Sequence, residues 1–127
     1  MKNIPDDIHR FLLANIESVE QLEVLLLLWR GADTDWTAEA VARALYSQPS
    51  SVARRLATLH HKGLLAQTDG RYRYAPKTDA LGETVTRLAD LYRERRVAVI
   101  TVIASKPMEN VRAFSDAFRL RKRHEEE

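Results

Sequence analysis

The sequence contains no cysteine. This absence excludes disulfides, iron–sulfur clusters, thiolate nucleophiles and cysteine-based zinc sites. A chain without disulfides fits a reducing compartment. Its first ten residues carry charges instead of an apolar segment, so we expect a cytoplasmic protein with no secretion signal.

Long apolar runs and glycine-rich loops are also missing. The longest apolar runs, residues 24–29 and 97–104, are far shorter than the ~20 residues of a membrane-spanning helix. The four glycines form neither a phosphate-binding loop nor a nucleophile elbow, and no spacing of the four histidines suits a metal ion. We therefore expect no membrane span, no enzyme activity, no metal and no cofactor.

Acidic residues are scarce in one stretch of the chain. Residues 43–77 contain seven Lys or Arg and one acid, Asp69, although the net charge of the whole chain is only +2. Residues 1–42, by contrast, hold eight acids and three bases. A segment as basic as residues 43–77 attracts a polyanion such as DNA.

The remaining signals are those of one small, mainly helical domain. Apolar periodicity, N-cap residues and proline positions predict helices over residues 5–16, 19–30, 38–46 and 49–62. Asp69-Gly70 predicts a tight hairpin over residues 64–75, because this dipeptide accepts the positive φ that such a turn needs. The predicted fold class is mainly α with a small β-hairpin wing: a winged helix-turn-helix followed by C-terminal helices for dimerisation.

A helix-turn-helix places its second helix in the DNA major groove, which assigns that role to residues 49–62. One face of this helix has no carboxylate. It holds Ser50, Ser51, Arg54, Arg55, Thr58, His61 and Lys62. Serine and threonine can bond phosphates or bases, and arginine can bond guanine with two hydrogen bonds. In the hairpin, Arg71 and Arg73 share a face that would meet the DNA backbone or minor groove.

Two other interpretations stay open at this point. The basic helix face could be an ordinary solvated surface, and strand arginines also protect an exposed edge from aggregation. A winged helix could instead serve as a protein–protein interaction adaptor without DNA binding, through the acidic N-terminal or the apolar C-terminal residues. The absence of acids from the helix face favours double-stranded DNA as the partner.

Residues 78–127 are predicted to pair two copies of the chain, leaving residues 1–77 as the DNA-binding region. A single helix over residues 79–104 would be longer than a small domain can cover, so its apolar stripe would be exposed in a monomer and buried in a homodimer. The predicted dimer contacts are Leu81, Val85, Leu88, Tyr92, Val99 and Ile103, then Val111, Phe114 and Phe118 in a last helix. The alternative is that the last helix folds back over the long one within one chain. The β-branched run of residues 97–103 alone could also form a strand, but the longer pattern passing through it favours a helix.

Residues 18–77 resemble the winged helix-turn-helix superfamily, and most closely the MarR-type regulators of bacteria. The matching segments are residues 19–28, 37–45 and 51–59 and the sequence Lys62-Gly63-Leu64-Leu65. Asp69-Gly70-Arg71 falls where the wing of that family carries an Asp-x-Arg. The resemblance implies a homodimeric, sequence-specific transcription regulator with helix 49–62 in the major groove and wing 66–74 beside it. No ligand pocket is recognisable, so a small-molecule effector stays unknown.

Overall fold

The computed structural model describes residues 4–105, which form six helices and one two-stranded sheet. The elements are α1 (Asp6–Asn15), α2 (Val19–Arg30), α3 (Ala38–Leu45), α4 (Pro49–His61), β1 (Leu65–Thr68), β2 (Arg71–Tyr74), α5 (Asp79–Glu94) and α6 (Arg96–Ser105). This order confirms the predicted mainly α fold with a small β-hairpin wing. None of the described helices is long and apolar enough to cross a membrane.

Helix α2 lies at the centre and packs against α3, α4, α5, α6 and β2. Leu22, Leu25 and Leu28 are fully buried on it, as expected for a helix that is apolar nearly all round. Its start is fixed by Ser18, whose hydroxyl accepts a hydrogen bond from the Gln21 amide at 3.1 Å. The buried Gln21 side chain in turn accepts from the Glu17 amide and donates to a carbonyl of α1, so no polar group of that side chain is left without a partner.

Helices α3 and α4 form the helix-turn-helix. Helix α4 is seated by Val52, Leu56 and Leu59, which recur at helical spacing and are fully buried. The turn before it begins at Tyr46, which caps α3 in the left-handed conformation with φ of 56°. Gly63, with φ of 83°, follows α4 and lets the chain reverse into the hairpin.

The hairpin pairs β1 and β2 in an antiparallel register from Leu65 opposite Tyr74 to Thr68 opposite Arg71. Asp69 and Gly70 both have positive φ, as the tight turn requires. Trp36 adds a one-residue bridge, since its backbone exchanges hydrogen bonds of 2.7 and 2.8 Å with Tyr72. The hairpin is thereby tied to the segment between α2 and α3.

The prediction of one continuous helix over residues 79–104 is wrong. Arg95, with φ of −133° and ψ of 52°, ends α5, and α6 begins at the next residue. Helix α6 then packs against α1 and α5. The break has a physical reason: folding back buries the apolar side of residues 97–103 within the same chain, whereas a straight helix would leave it in water.

This break also corrects the predicted dimer surface. The proposed stripe was expected to be exposed in a single chain, but most of it is core: Val85, Leu88, Tyr92, Val99 and Ile103 are buried and Leu81 is half-buried. Side chains buried within one chain cannot also form the contact between two chains. The predicted last helix, with Val111, Phe114 and Phe118, lies outside the described residues.

Candidate nucleic-acid interface

The predicted binding face of α4 divides into an outer edge and an edge that faces α2. Opposite the buried stripe of Val52, Leu56 and Leu59 lie the exposed residues Ser50, Arg54 and His61. The half-buried residues Ser51, Arg55, Thr58 and Lys62 lie on the flank. The sequence pattern placed both groups on one face, because it gives positions around one helix and not the neighbouring helices.

Arg54 is the exposed arginine of the outer edge. Its side chain is exposed, and no carboxylate within residues 4–105 pairs with it. Its guanidinium can therefore offer its donors to a phosphate or to a base edge. Helix α4 begins nearby with Pro49 and without a side-chain cap, so the first backbone N–H groups, near Ser50, also have no side-chain acceptor.

Arg55 points elsewhere, and the expectation that it lies on an acid-free face is wrong. Its Nε atom lies 2.9 Å from Oε1 of Glu20 in the first turn of α2, and both side chains are 25% exposed. Ser51 Oγ donates to the same oxygen at 2.5 Å. The acid is on a different helix, so residues 49–62 by themselves give no sign of it.

The Glu20 carboxylate is stabilised in its charged form. Burial by itself raises the pKa of this carboxyl, but hydrogen bonds from Ser51, Arg55 and Ser47 together lower it below the ordinary glutamate value. Glu20 is thus ionised at neutral pH, and the ion pair with Arg55 persists there.

Of the other predicted residues on α4, Lys62 is also engaged. Its Nζ donates to the carbonyl oxygen of Ala14 at 3.1 Å, near the end of α1, where helix carbonyls lack intrahelical partners. Thr58 is half-buried and His61 is exposed. Lys62 therefore helps hold α4 against α1, and its charge is only partly directed to solvent.

The two hairpin arginines differ in the same way as the two arginines of α4. Arg71 is exposed, with no acid from residues 4–105 paired to it. Arg73 Nε lies 2.9 Å from Oδ1 of Asp35, with side chains 53% and 48% exposed. A pair this exposed is weak, so Arg73 exchanges readily between Asp35 and another anion.

Three exposed residues near this surface were missing from the predicted binding set. Arg43 lies in the last turn of α3 and Lys77 follows the hairpin, and neither forms an ion pair in the described part of the chain. The charge count over residues 43–77 included both and was the signal that could have found them. Tyr46 is 98% exposed in the turn before α4, which no sequence pattern indicated. We refer to Arg43, Arg54, Arg71 and Lys77 as the unpaired cations.

A second feature lies at the break between α5 and α6. A cleft of about 720 Å³ is lined there by residues that include Ile4, His9, Arg95 and Val97. Arg96 beside it donates to Glu23 at 3.1 Å and lies 5.0 Å from the ring centre of Tyr92. Val97, near the start of α6, is 76% exposed, so no residue within 4–105 covers this apolar side chain.

Comparison with known proteins gives one structural similarity. No family model matches the chain, and no curated protein matches it. Among solved structures, the chain is similar to a MarR family protein from Bacillus stearothermophilus, with 24% sequence identity and a TM-score of 0.48 over 93% of this chain and 81% of that one. The fold is a winged helix. That conclusion rests on the order helix α3, turn, helix α4, hairpin.

Proposed function

We propose that this protein is a sequence-specific, DNA-binding transcription regulator without catalytic activity. Helix α4 would enter the major groove and the hairpin would lie along the flanking backbone or minor groove. The observation that supports this most is the state of Arg54: it is exposed on the outer edge of α4, and no acid among the described residues pairs with it.

The unpaired cations supply the electrostatic part of binding. They come from α3, α4, β2 and the segment after the hairpin. In a helix-turn-helix the second helix enters the major groove and the first helix crosses the DNA backbone. Each phosphate that a cation neutralises contributes about −0.9 to the slope of log affinity against log salt concentration. Three such contacts, from Arg43, Arg71 and Lys77, give a slope of roughly −2.7 per chain. Arg54 and Ser50 are the residues best placed to reach bases, and Arg43, Arg71 and Lys77 to reach phosphates.

A homodimer is also part of the proposal, with a different contact surface. One recognition helix reads one half-site, and specific regulators usually bind two half-sites about one DNA turn apart. The surface available for pairing is the outer side of α6, where Val97, Thr101 and Ala104 are exposed. Val111, Phe114 and Phe118 stay candidates for the same contact. The C-terminal helices would then set the distance between two copies of α4.

The test of DNA binding is fluorescence anisotropy with a labelled random-sequence duplex, from about 50 to 200 mM salt. Binding at the low end that weakens steeply with salt is expected. No binding at about 50 mM salt overturns the proposal and leaves the adaptor interpretation. Selection of bound sequences from a random DNA pool then tests specificity, and a two-fold symmetric site is the result expected of a homodimer.

The dimer surface has its own test. Val97→Glu places a charge on the open side of α6 and is expected to shift the molar mass measured by light scattering from two chains to one. Ala80→Glu, at an exposed position of α5, is the control for an added acid. A wild-type protein that is monomeric at all concentrations contradicts the dimer but not DNA binding.

A further inference from the structure

Glu20 binds two donors that belong to the recognition helix. Ser51 lies in the first turn of α4 and Arg55 in the second, and both hydrogen-bond to Oε1 of this one carboxylate. The two residues are four positions apart, so they occupy the same side of α4. A single acid on α2 therefore holds one flank of the recognition helix.

We propose that Glu20 is a specificity-determining residue that withholds Arg55 from the DNA backbone. This inference rests on the proposed DNA binding. Arg55 lies one residue from Arg54, and without Glu20 its long side chain would be free to turn toward a phosphate. A phosphate contact adds affinity for every DNA sequence alike, whereas base contacts distinguish between sequences. Pairing Arg55 with Glu20 thus lowers non-specific affinity and leaves recognition to the outer edge.

The same contacts orient the outer edge. Successive residues of an α-helix are about 100° apart around the axis. Fixing Ser51 and Arg55 against α2 therefore fixes the direction in which Arg54 points. Glu20 acts on DNA through these residues and not by contact, so it is a positioning residue.

Stability alone does not account for the arrangement. Partly exposed ion pairs contribute little to folding, and the seam between α2 and α4 already has the buried anchors Val52, Leu56 and Leu59. The consequence specific to the pair of Glu20 and Arg55 is electrostatic. With Glu20 beside Arg55, the basic segment of residues 43–77 has one fewer positive charge available to phosphate.

The experiment measures the salt dependence of binding to a random-sequence duplex for Glu20→Gln, Arg55→Ala and the double variant. Arg55→Ala alone is expected to leave the slope nearly unchanged, because Arg55 is withheld in the wild type. Glu20→Gln is expected to steepen the slope by about 0.9, one phosphate contact. In the Arg55→Ala background the same change is expected to have no such effect on the slope.

Two further variants separate release of Arg55 from the change in net charge. Glu20→Asp keeps the charge but is too short to hold Arg55 and Ser51 together, so it is expected to steepen the slope as Glu20→Gln does. Asp90→Asn removes an acid that pairs with Arg93 at 3.2 Å on α5 and is expected to leave the slope unchanged. Glu20→Asp also serves as the test if Glu20→Gln does not fold, as judged by thermal unfolding.

The outcomes are distinct. A steeper slope that depends on the presence of Arg55 supports the role of Glu20. If Glu20→Gln changes the slope equally with and without Arg55, or not at all, Glu20 does not withhold Arg55 and the inference is wrong, although DNA binding stands. If the wild type binds no DNA at about 50 mM salt, the proposed function itself fails.

Discussion

Each of the two edges of α4 carries an arginine, but only one of the two arginines is paired with an acid. On the outer edge, Arg54 is exposed and pairs with no acid within residues 4–105. On the edge facing α2, Arg55 is half-buried and paired with Glu20. The two arginines are adjacent in the sequence and have the same charge. The difference teaches that the number of basic residues in a segment is not the charge that the segment offers to a partner.

The neutralising acids come from a distant part of the chain. Glu20 pairs with Arg55 and Asp35 with Arg73, so both acids belong to residues 1–42 and both arginines to residues 43–77. Along the sequence, the acidic and the basic segment are separate. Folding brings them together at two points, because α4 packs on α2 and the hairpin is bridged to Trp36, next to Asp35.

The largest expected effect comes from shortening a buried side chain that holds α4, and with it both edges, against the core. Leu56 is fully buried on α4, and Leu56→Ala is expected to reduce the free energy of unfolding by about 2–5 kcal/mol, because it removes buried apolar volume and leaves a cavity. Urea unfolding followed by circular dichroism measures this loss. Ala53→Ser, at an exposed position of the same helix, is the control and is expected to change stability by less than about 0.5 kcal/mol. A loss below about 1 kcal/mol at Leu56 would contradict the described packing of α4.

The next effect compares the two arginines directly. Arg54→Ala is expected to weaken binding to a selected DNA site by about 1–3 kcal/mol, roughly 5- to 150-fold, because it removes a base or phosphate contact. Arg55→Ala is expected to change DNA affinity by less than about threefold, since its charge is held by Glu20. Anisotropy titrations of both variants on one duplex measure the difference. Equal losses for the two variants would mean that DNA draws Arg55 away from Glu20.

The sequence predicts more of the fold than of the binding face. The N-cap residues, Gly63 and Asp69-Gly70 act through local geometry, so helix-turn-helix and hairpin could be inferred from them. Burial within α4 followed from the spacing of Val52, Leu56 and Leu59. These signals are local because a cap, a turn or a helical stripe involves residues that are close in the chain.

The rest depends on contacts between distant segments. Nothing near Arg55 indicates that Glu20 lies beside it. Arg95 and Arg96 do interrupt the apolar spacing after Tyr92, but Val99 and Ile103 resume it, so the pattern favoured one continuous helix. The break depends on α1 and α5 offering a surface to α6. For the same reason, the apolar stripe of α5 and α6 was assigned to contact with a second chain, whereas Val85, Leu88, Tyr92, Val99 and Ile103 are buried within the single chain.

A smaller effect is expected at the turn that leads into α4. Tyr46 adopts φ of 56°, which is unfavourable for a residue with a side chain, and its side chain is 98% exposed. Tyr46→Gly is therefore expected to raise the free energy of unfolding by about 1 kcal/mol. Tyr46→Ala keeps the strain and is the control. If the glycine variant is also weaker in DNA binding than the wild type, the turn adds a contact to the outer edge; a less stable glycine variant contradicts the described turn.

The smallest effect is the pH dependence of the edge facing α2. The pKa of Glu20 is lowered in the folded chain, so folding favours the ionised carboxylate. Its contribution is present above the ordinary glutamate pKa and is lost as pH falls through the lowered folded value. Because the pair is partly exposed, this contribution is below about 1 kcal/mol.

The measurement for that last prediction is the stability difference between the wild type and Glu20→Gln, from neutral pH into the acid range. The wild type is expected to be the more stable at neutral pH, and the advantage is expected to shrink below the ordinary glutamate pKa, about 4.3. Glu83→Gln, at an exposed position of α5, controls for the loss of one titrating group. An advantage that grows on acidification would contradict this prediction. It would mean that burial of Glu20 raises its pKa by more than the donors from Ser51 and Arg55 lower it.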